Sequence, residues 1–102
     1  MDFIKFHKDS ISKVLPTISS DSLKVWIAIS CELEWGQPEI PLTIKEIIAK
    51  TGLERKIVMK SLKELDEKLL IMRLGSGQKR KYLVNNMYVR LGNEEYIASE
   101  GL

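Results

Sequence analysis

Basic side chains recur in two nearby segments, and both arrangements suit the binding of phosphate. When residues 54–68 are wound as a helix at about 100° per residue, one face collects four cations and a methionine: Arg55, Lys56, Met59, Lys60 and Lys63. Further along, the segment GSGQKRK ends in three consecutive cations: Lys79, Arg80 and Lys81. Lysine and arginine form charge-assisted hydrogen bonds to phosphate oxygens. These seven cations therefore predict a surface that binds a polyanion.

The residue types needed for catalysis are scarce. His7 is the single histidine and Cys31 the single cysteine, and neither has a neighbour suited to a triad. A zinc site needs about four ligands from Cys, His or carboxylate. The glycines at 75 and 77 also fail the phosphate-loop pattern, which needs four residues between them and a following helix. We therefore expect no enzymatic activity, no metal and no cofactor.

Two helices joined by a tight turn are predicted to position the basic face. Thr43 and Glu46 form a capping box at the start of the first helix. Gly52 supplies the left-handed residue that ends it. The second helix, over 54–68, has an apolar stripe opposite its cations: Ile57, Val58, Ser61, Leu62 and Leu65. Thr43 and Lys45 lie at a helix N-terminus, where a phosphate can be anchored.

The remaining segments complete an α+β domain that is mainly α. Residues 70–74 and 81–84 are predicted to be the two strands of a hairpin around the glycine-rich tip, and residues 40–42 are predicted to be a short strand beside it. A helix is expected from Ser19 to about Trp35, with Cys31 as a small core residue. Its predicted buried stripe is Leu23, Trp26, Ile27, Ser30 and Leu33. Residues 3–6 form a strand or an arm.

Length and composition agree with one small domain. The chain has 102 residues, 44% hydrophobic and 29% charged. We expect a single domain with a core at about 19–84, an N-terminal arm (1–18) and a C-terminal extension (85–102). The net charge is only +2, but residues 43–90 hold twelve Lys/Arg against five Asp/Glu. The lone cysteine and the lack of a secretory or membrane-spanning segment favour the cytoplasm.

The segment TIKEIIAKTGLERKIVMKSLKELDEKLLI resembles the winged helix-turn-helix signature of many bacterial regulators. The wider pattern, with SSDSLKVWIAI before it and YLVNNMYVRLG after the hairpin, resembles small winged-helix replication initiators of Gram-positive plasmids. Leu69 stands where the family frequently has glycine. The resemblance implies a three-helix core, a basic wing at residues 75–81, and a recognition helix at 54–68.

The resemblance implies binding of double-stranded DNA through the residues named above. Residues 54–68 would enter the major groove, and Lys79, Arg80 and Lys81 would grip the adjacent backbone or minor groove. The outcome would be plasmid or phage replication initiation, or transcriptional control of a mobile element, with replication or transcription proteins as partners. A homodimer through the arm and residues 87–97 is one expectation. The alternative is a protein-interaction module, since winged helices also bind proteins.

Overall fold

Four α-helices and two antiparallel sheets are formed by residues 2–93, the part of the chain that the computed structural model describes. The helices are α1 (Lys8–Val14), α2 (Ser20–Ser30), α3 (Ile44–Thr51) and α4 (Arg55–Glu67). The strands are β1 (Asp2–Phe6), β2 (Ile40–Pro41), β3 (Ile71–Leu74), β4 (Lys81–Val84) and β5 (Val89–Asn93). The predicted α+β class is confirmed at this level.

The two sheets have different origins in the chain. β3 and β4 form the predicted hairpin, with Ile71 opposite Val84 and Leu74 opposite Lys81. β2 adds to the other side of β4, so that the order is β2-β4-β3. Because Pro41 lacks an amide hydrogen, it is suited to this outer position. The second sheet pairs the two flanks of the chain, β1 with β5.

The core lies where α2, α3 and α4 pack together beneath the three-stranded sheet. Trp26 of α2 is fully buried, as the sequence predicts for a core anchor. The other fully or nearly fully buried apolar residues come from all of these elements and from β5: Val25, Ile29, Ile40, Leu42, Ile44, Ile47, Val58, Leu62, Leu65, Leu70, Ile71, Tyr82 and Val89. Burial of this apolar surface is the main force that holds the helices in place.

The two predicted helices and the tight turn between them are present, for the reasons read from the sequence. The Thr43 hydroxyl accepts from the Glu46 amide, and the Glu46 carboxylate accepts from the Thr43 amide, both at 3.1 Å. Gly52 ends α3 at φ 72°, a left-handed conformation that glycine adopts without strain. Arg55–Glu67 then forms α4, one residue inside the predicted range at each end. Its buried residues are Val58, Ser61, Leu62 and Leu65.

The prediction for α2 is wrong in its length and partly wrong in its buried face. Ser19 is the N-cap, but the helix ends at Ser30 rather than near Trp35. Its buried residues are Ser22, Val25, Trp26, Ile29 and Ser30. The run VWIAIS is apolar on almost every side, so the pattern alone does not fix the angle of the buried face. Ile27 is 40% exposed as a result.

The exposure of Cys31 and Trp35 is explained by this shorter helix. Cys31 is the C-cap of α2 and is exposed, so the prediction of a core cysteine is wrong. A cap residue lies beyond the buried stripe, where the chain turns away from the core. Trp35 lies in the following turn and is 54% exposed, as expected for a residue at this end. Its indole N–H donates to the Asp2 carboxylate at 3.3 Å.

The two flanks of the chain are joined to the core by aromatic rings. The predicted strand at residues 3–6 is confirmed as part of β1, which pairs with β5 over its whole length. Phe6 and Tyr88 each pack edge-on against Trp26, with ring centroids 5.9 and 6.1 Å away. Residues 94–102, including part of the expected dimer contact, lie outside the described residues. No helix within residues 2–93 is long and apolar enough to cross a membrane.

Candidate nucleic-acid interface

The start of α3 carries two of the predicted contact residues, which differ in what they can offer a ligand. The Thr43 hydroxyl is engaged in the capping box and also donates to Glu46 Oε1 at 3.0 Å. The pKa of Glu46 is lowered, first because its carboxylate accepts from the Thr43 amide and then because it accepts from the Thr43 hydroxyl, so the carboxylate stays ionised at this helix N-terminus. Lys45 is exposed in the first turn of the helix. Lys45 is therefore the group at this position that can meet an anion directly, while Thr43 shapes the helix start.

The first half of α4 presents its cations to solvent. Arg55, Lys56 and Lys60 are exposed, and α4 has no acidic residue in its first turn. Glu54 is the N-cap residue, yet its side chain makes no capping hydrogen bond. Lys63 is also exposed, with its ammonium 4.0 Å from Glu67. A helix start with positive side chains and unpaired amides is attractive to phosphate.

Met59 does not share this exposed face. Its side chain is partly buried and packs against the hydrophobic core. At about 100° per residue Met59 falls between Arg55 and Lys63, so helical periodicity alone does not predict its partial burial. The surface that α4 offers to a ligand is thus narrower than the sequence predicted.

The acids near the end of α4 are largely engaged with other parts of the protein. Glu64 accepts a hydrogen bond at 3.0 Å from the amide of Ser19, the N-cap residue of α2. This backbone bond is the main reason that the pKa of Glu64 is lowered. Asp66 forms an ion pair at 2.7 Å with Arg73 of β3. These carboxylates therefore hold α4 to α2 and to the hairpin.

The hairpin tip (residues 75–81) is ordered by a short 3₁₀ turn over Gly77–Lys79. Gly75 has φ 67°, and a Cβ added there would lie 2.5 Å from the Lys79 carbonyl oxygen, so only glycine fits. Lys79 is exposed and Arg80 is half-buried. Lys81 forms an ion pair at 3.2 Å with Glu39, which precedes β2.

A groove joins the three elements that carry these side chains. It is lined by the start of α3, the start of α4 and the hairpin tip: Thr43, Ile44, Lys45, Arg55, Gly77, Gln78 and Arg80. Four of the ten predicted residues therefore surround one concavity of about 270 Å³. Lys56, Lys60, Lys63, Lys79 and Lys81 are not among its lining residues.

Two residues that bear on this surface were missed by the sequence prediction. Gln78 lines the groove from the tip, and its position in GSGQKRK was the available signal. Glu39 partly neutralises Lys81. No local pattern links Glu39 to Lys81, because the pairing of β2 with β4 brings them together.

Within residues 2–93, no three His, Cys, Asp or Glu side chains come close enough to hold a metal ion. His7 caps α1, and its Nδ1 lies 3.1 Å from the Ser10 hydroxyl. Burial raises the pKa of Tyr82, against the opposing effect of Arg80 and Arg73.

No protein-family model matches the sequence, and no curated protein matches it. The functional argument therefore depends on the site itself.

Proposed function

We propose that the chain is a winged helix-turn-helix domain that binds double-stranded DNA. The observation that carries the proposal is the groove shared by the starts of α3 and α4 and the hairpin tip. Three separate elements bring Lys45, Arg55 and Arg80 to its walls. In the proposed complex, the first turns of α4 enter the major groove of DNA, as recognition helices do with their N-terminal residues.

The proposal assigns the cations to two kinds of contact with DNA. Arg55, Lys56 and Lys60 face base edges and the phosphates that flank them. Lys45 and the hairpin tip bind the backbone on either side, with Lys79 and Arg80 as the main contacts. Phosphate contacts supply most of the affinity and fix the orientation, while base contacts supply specificity. Since Glu54 is acidic and Ile57 and Met59 lack hydrogen-bonding groups, we expect strong phosphate binding and limited base recognition.

The biological role follows from the resemblance alone. It is replication initiation of a plasmid or phage in the cytoplasm, or transcriptional control of a similar mobile element. Replication or transcription proteins would then be the partners.

The test is the salt dependence of binding to a short random-sequence duplex, followed by fluorescence anisotropy. Each phosphate contact contributes about 0.9 to the slope of log affinity against log salt concentration. Changing Lys79, Arg80 and Lys81 together to alanine should lower that slope by roughly 2. The drop is less than for three full contacts because Glu39 already offsets Lys81.

A matched control removes three exposed lysines outside both the interface and the other basic pocket: Lys13, Lys24 and Lys50. Lys50, like Lys81, forms an ion pair with a glutamate, Glu32. Both variants lose the same charge, so a difference between them reports position. Equal slopes for the two variants, or undetectable affinity of the unchanged protein at low salt, would rule out the proposed interface. The second result would favour a protein-interaction module.

A further inference from the structure

A second basic pocket lies where β1 leads into α1 and faces the turn before β5. Its volume is about 420 Å³, larger than the groove of the proposed DNA interface. It is lined by Lys5, Phe6, His7, Lys8, Asn86, Tyr88 and Arg90. None of these seven residues belongs to the DNA-binding surface predicted from the sequence.

Three cations from three elements meet at this pocket. Lys5 of β1 and Arg90 of β5 are direct partners in the ladder, so their side chains project from the same face of the sheet. Lys8 is the first residue of α1. A concave site lined by cationic side chains from several elements favours an anionic ligand.

Arg90 is oriented for such a ligand. Its Nε–H donates to the carbonyl oxygen of Asn86 at 2.9 Å. This bond uses one of the five N–H donors of the guanidinium and fixes the plane of the group. The terminal nitrogens keep the fork geometry that binds two phosphate oxygens at once.

The walls of the pocket are held together by backbone and ring contacts. The His7 amide donates to the Tyr88 carbonyl oxygen at 2.8 Å. Phe6 and Tyr88 both pack edge-on against the buried Trp26. His7 Nδ1 accepts from the Ser10 amide at 3.4 Å, which leaves the proton of a neutral ring on Nε2, where it can donate. The pocket is thus preformed and adds neutral donors to its cations.

We propose that this pocket binds a phosphate monoester of about nucleotide size. The doubly charged phosphate lies between Lys5, Lys8 and Arg90. Its organic part contacts Phe6, which is 39% exposed, and Tyr88. The volume falls in the range of roughly 300–1,000 Å³ typical of small-ligand pockets, whereas inorganic phosphate alone would leave most of it empty. The proposal does not depend on the DNA interface.

The test is titration of the full chain with inorganic phosphate, AMP and adenosine, followed through backbone amide chemical shifts. We expect saturable shifts at residues 5–8 and 86–90 with AMP and with phosphate. Adenosine, which lacks the phosphate, should cause none. The variants Arg90→Gln and Lys8→Gln should each weaken AMP binding by about tenfold or more, as expected for loss of a charge-assisted hydrogen bond. Lys13→Gln, outside the pocket, should leave it unchanged.

The outcomes separate the possible sources of the phosphate. Lys8 lies at an exposed helix start, so Lys8→Gln remains informative if Arg90→Gln fails to fold. AMP binding that is insensitive to Lys8→Gln, or equal binding of adenosine, would overturn the proposal. The last experiment is a titration with duplex DNA. If duplex DNA shifts the amides of residues 5–8 and 86–90 and AMP does not compete with it, the pocket binds a backbone phosphodiester, and the proposal of a phosphate monoester is overturned. Alanine at residues 79–81 should not alter AMP binding, whether or not it affects DNA binding.

Discussion

Leu69 is the single residue other than glycine with a positive φ within residues 2–93. It follows the C-cap of α4 with φ 60°, a left-handed conformation that costs a residue with a Cβ about 1–2 kcal/mol. The surrounding bonds explain why it stays there. The Leu69 amide donates to the Asp66 carbonyl at 3.0 Å, and the Leu70 amide donates to the Leu65 carbonyl at 2.9 Å. These are the two bonds of a Schellman motif, and the buried side chains of Leu65 and Leu70 accompany them.

Glycine should relieve this strain. Because the Leu69 side chain is 73% exposed, Leu69→Gly loses little apolar burial. We expect the free energy of unfolding to rise by about 1 kcal/mol. Urea denaturation measures it. The control is Leu15→Gly, since Leu15 is also exposed but has right-handed φ −50° and ψ −45°; that change should destabilise by about 0.5–1 kcal/mol. A loss of stability in both variants would show that Leu69 is not strained.

Glu64 makes the unfolding free energy of the protein depend on pH in the acidic range. The pKa of Glu64 lies below its ordinary value of 4.5, first because its carboxylate accepts from the Ser19 amide. Its contribution is therefore complete above about pH 4.5 and is lost as pH falls through the lower pKa of the folded state. We expect Glu64→Ala to lower the unfolding free energy at neutral pH by about 1 kcal/mol, as for loss of a helix cap.

The difference between Glu64→Ala and the unchanged protein should shrink at the acid end of a pH series of urea denaturations. Glu67→Ala is the matched control, because Glu67 is exposed and makes only a 4.0 Å contact with Lys63. A Glu64→Ala difference that stays constant from neutral to acidic pH would contradict the capping role.

At the scale of elements, the sequence was most informative where side chains and backbone act locally. The capping box at Thr43 and the left-handed Gly52 fix both ends of α3, and each can be recognised within a few residues. The end of α2 has no comparable signal before Gly36, so the predicted helix extends past the actual end at Ser30. The pairing of Lys81 with Glu39 and the groove at the start of α4 depend on strand pairing, which no local pattern encodes.

The two faces of α4 can be separated by experiment at neighbouring residues. Met59 packs against the core, whereas Lys60 is exposed. Met59→Ala should lower the unfolding free energy by about 1 kcal/mol, less than for a fully buried methionine, and leave the salt slope of DNA binding unchanged. Lys60→Ala should do the opposite, with a fall of about 0.9 in the slope and no loss of stability. A fall in the salt slope for Met59→Ala would show that Met59 lies in the DNA-contacting surface after all.

At the scale of the whole molecule, the chain is divided between a helical core with its hairpin and a second sheet made from both flanks. The ring contacts of Phe6 and Tyr88 with Trp26 join them, together with Ile4 and Val89, which pack in the core. Phe6 ends β1, and its ring contacts Trp26 of α2. Because β1 and β5 pair with each other, loosening one strand should loosen both.

Phe6→Ala should therefore act on the second sheet more than on the proposed DNA interface. We expect the unfolding free energy to fall by about 2 kcal/mol, since Phe6 is partly exposed and a fully buried phenylalanine costs more. Hydrogen exchange should quicken at the amides of β1 and β5 before it quickens in α3 or α4. Met87→Ala is the control, because Met87 is 66% exposed in the turn before β5 and should be close to neutral. Equal quickening of exchange in α4 would show that the two parts unfold as one unit. If exchange quickens only in β1 and β5, Phe6→Ala should leave the salt slope of DNA binding unchanged and abolish AMP binding to the second pocket.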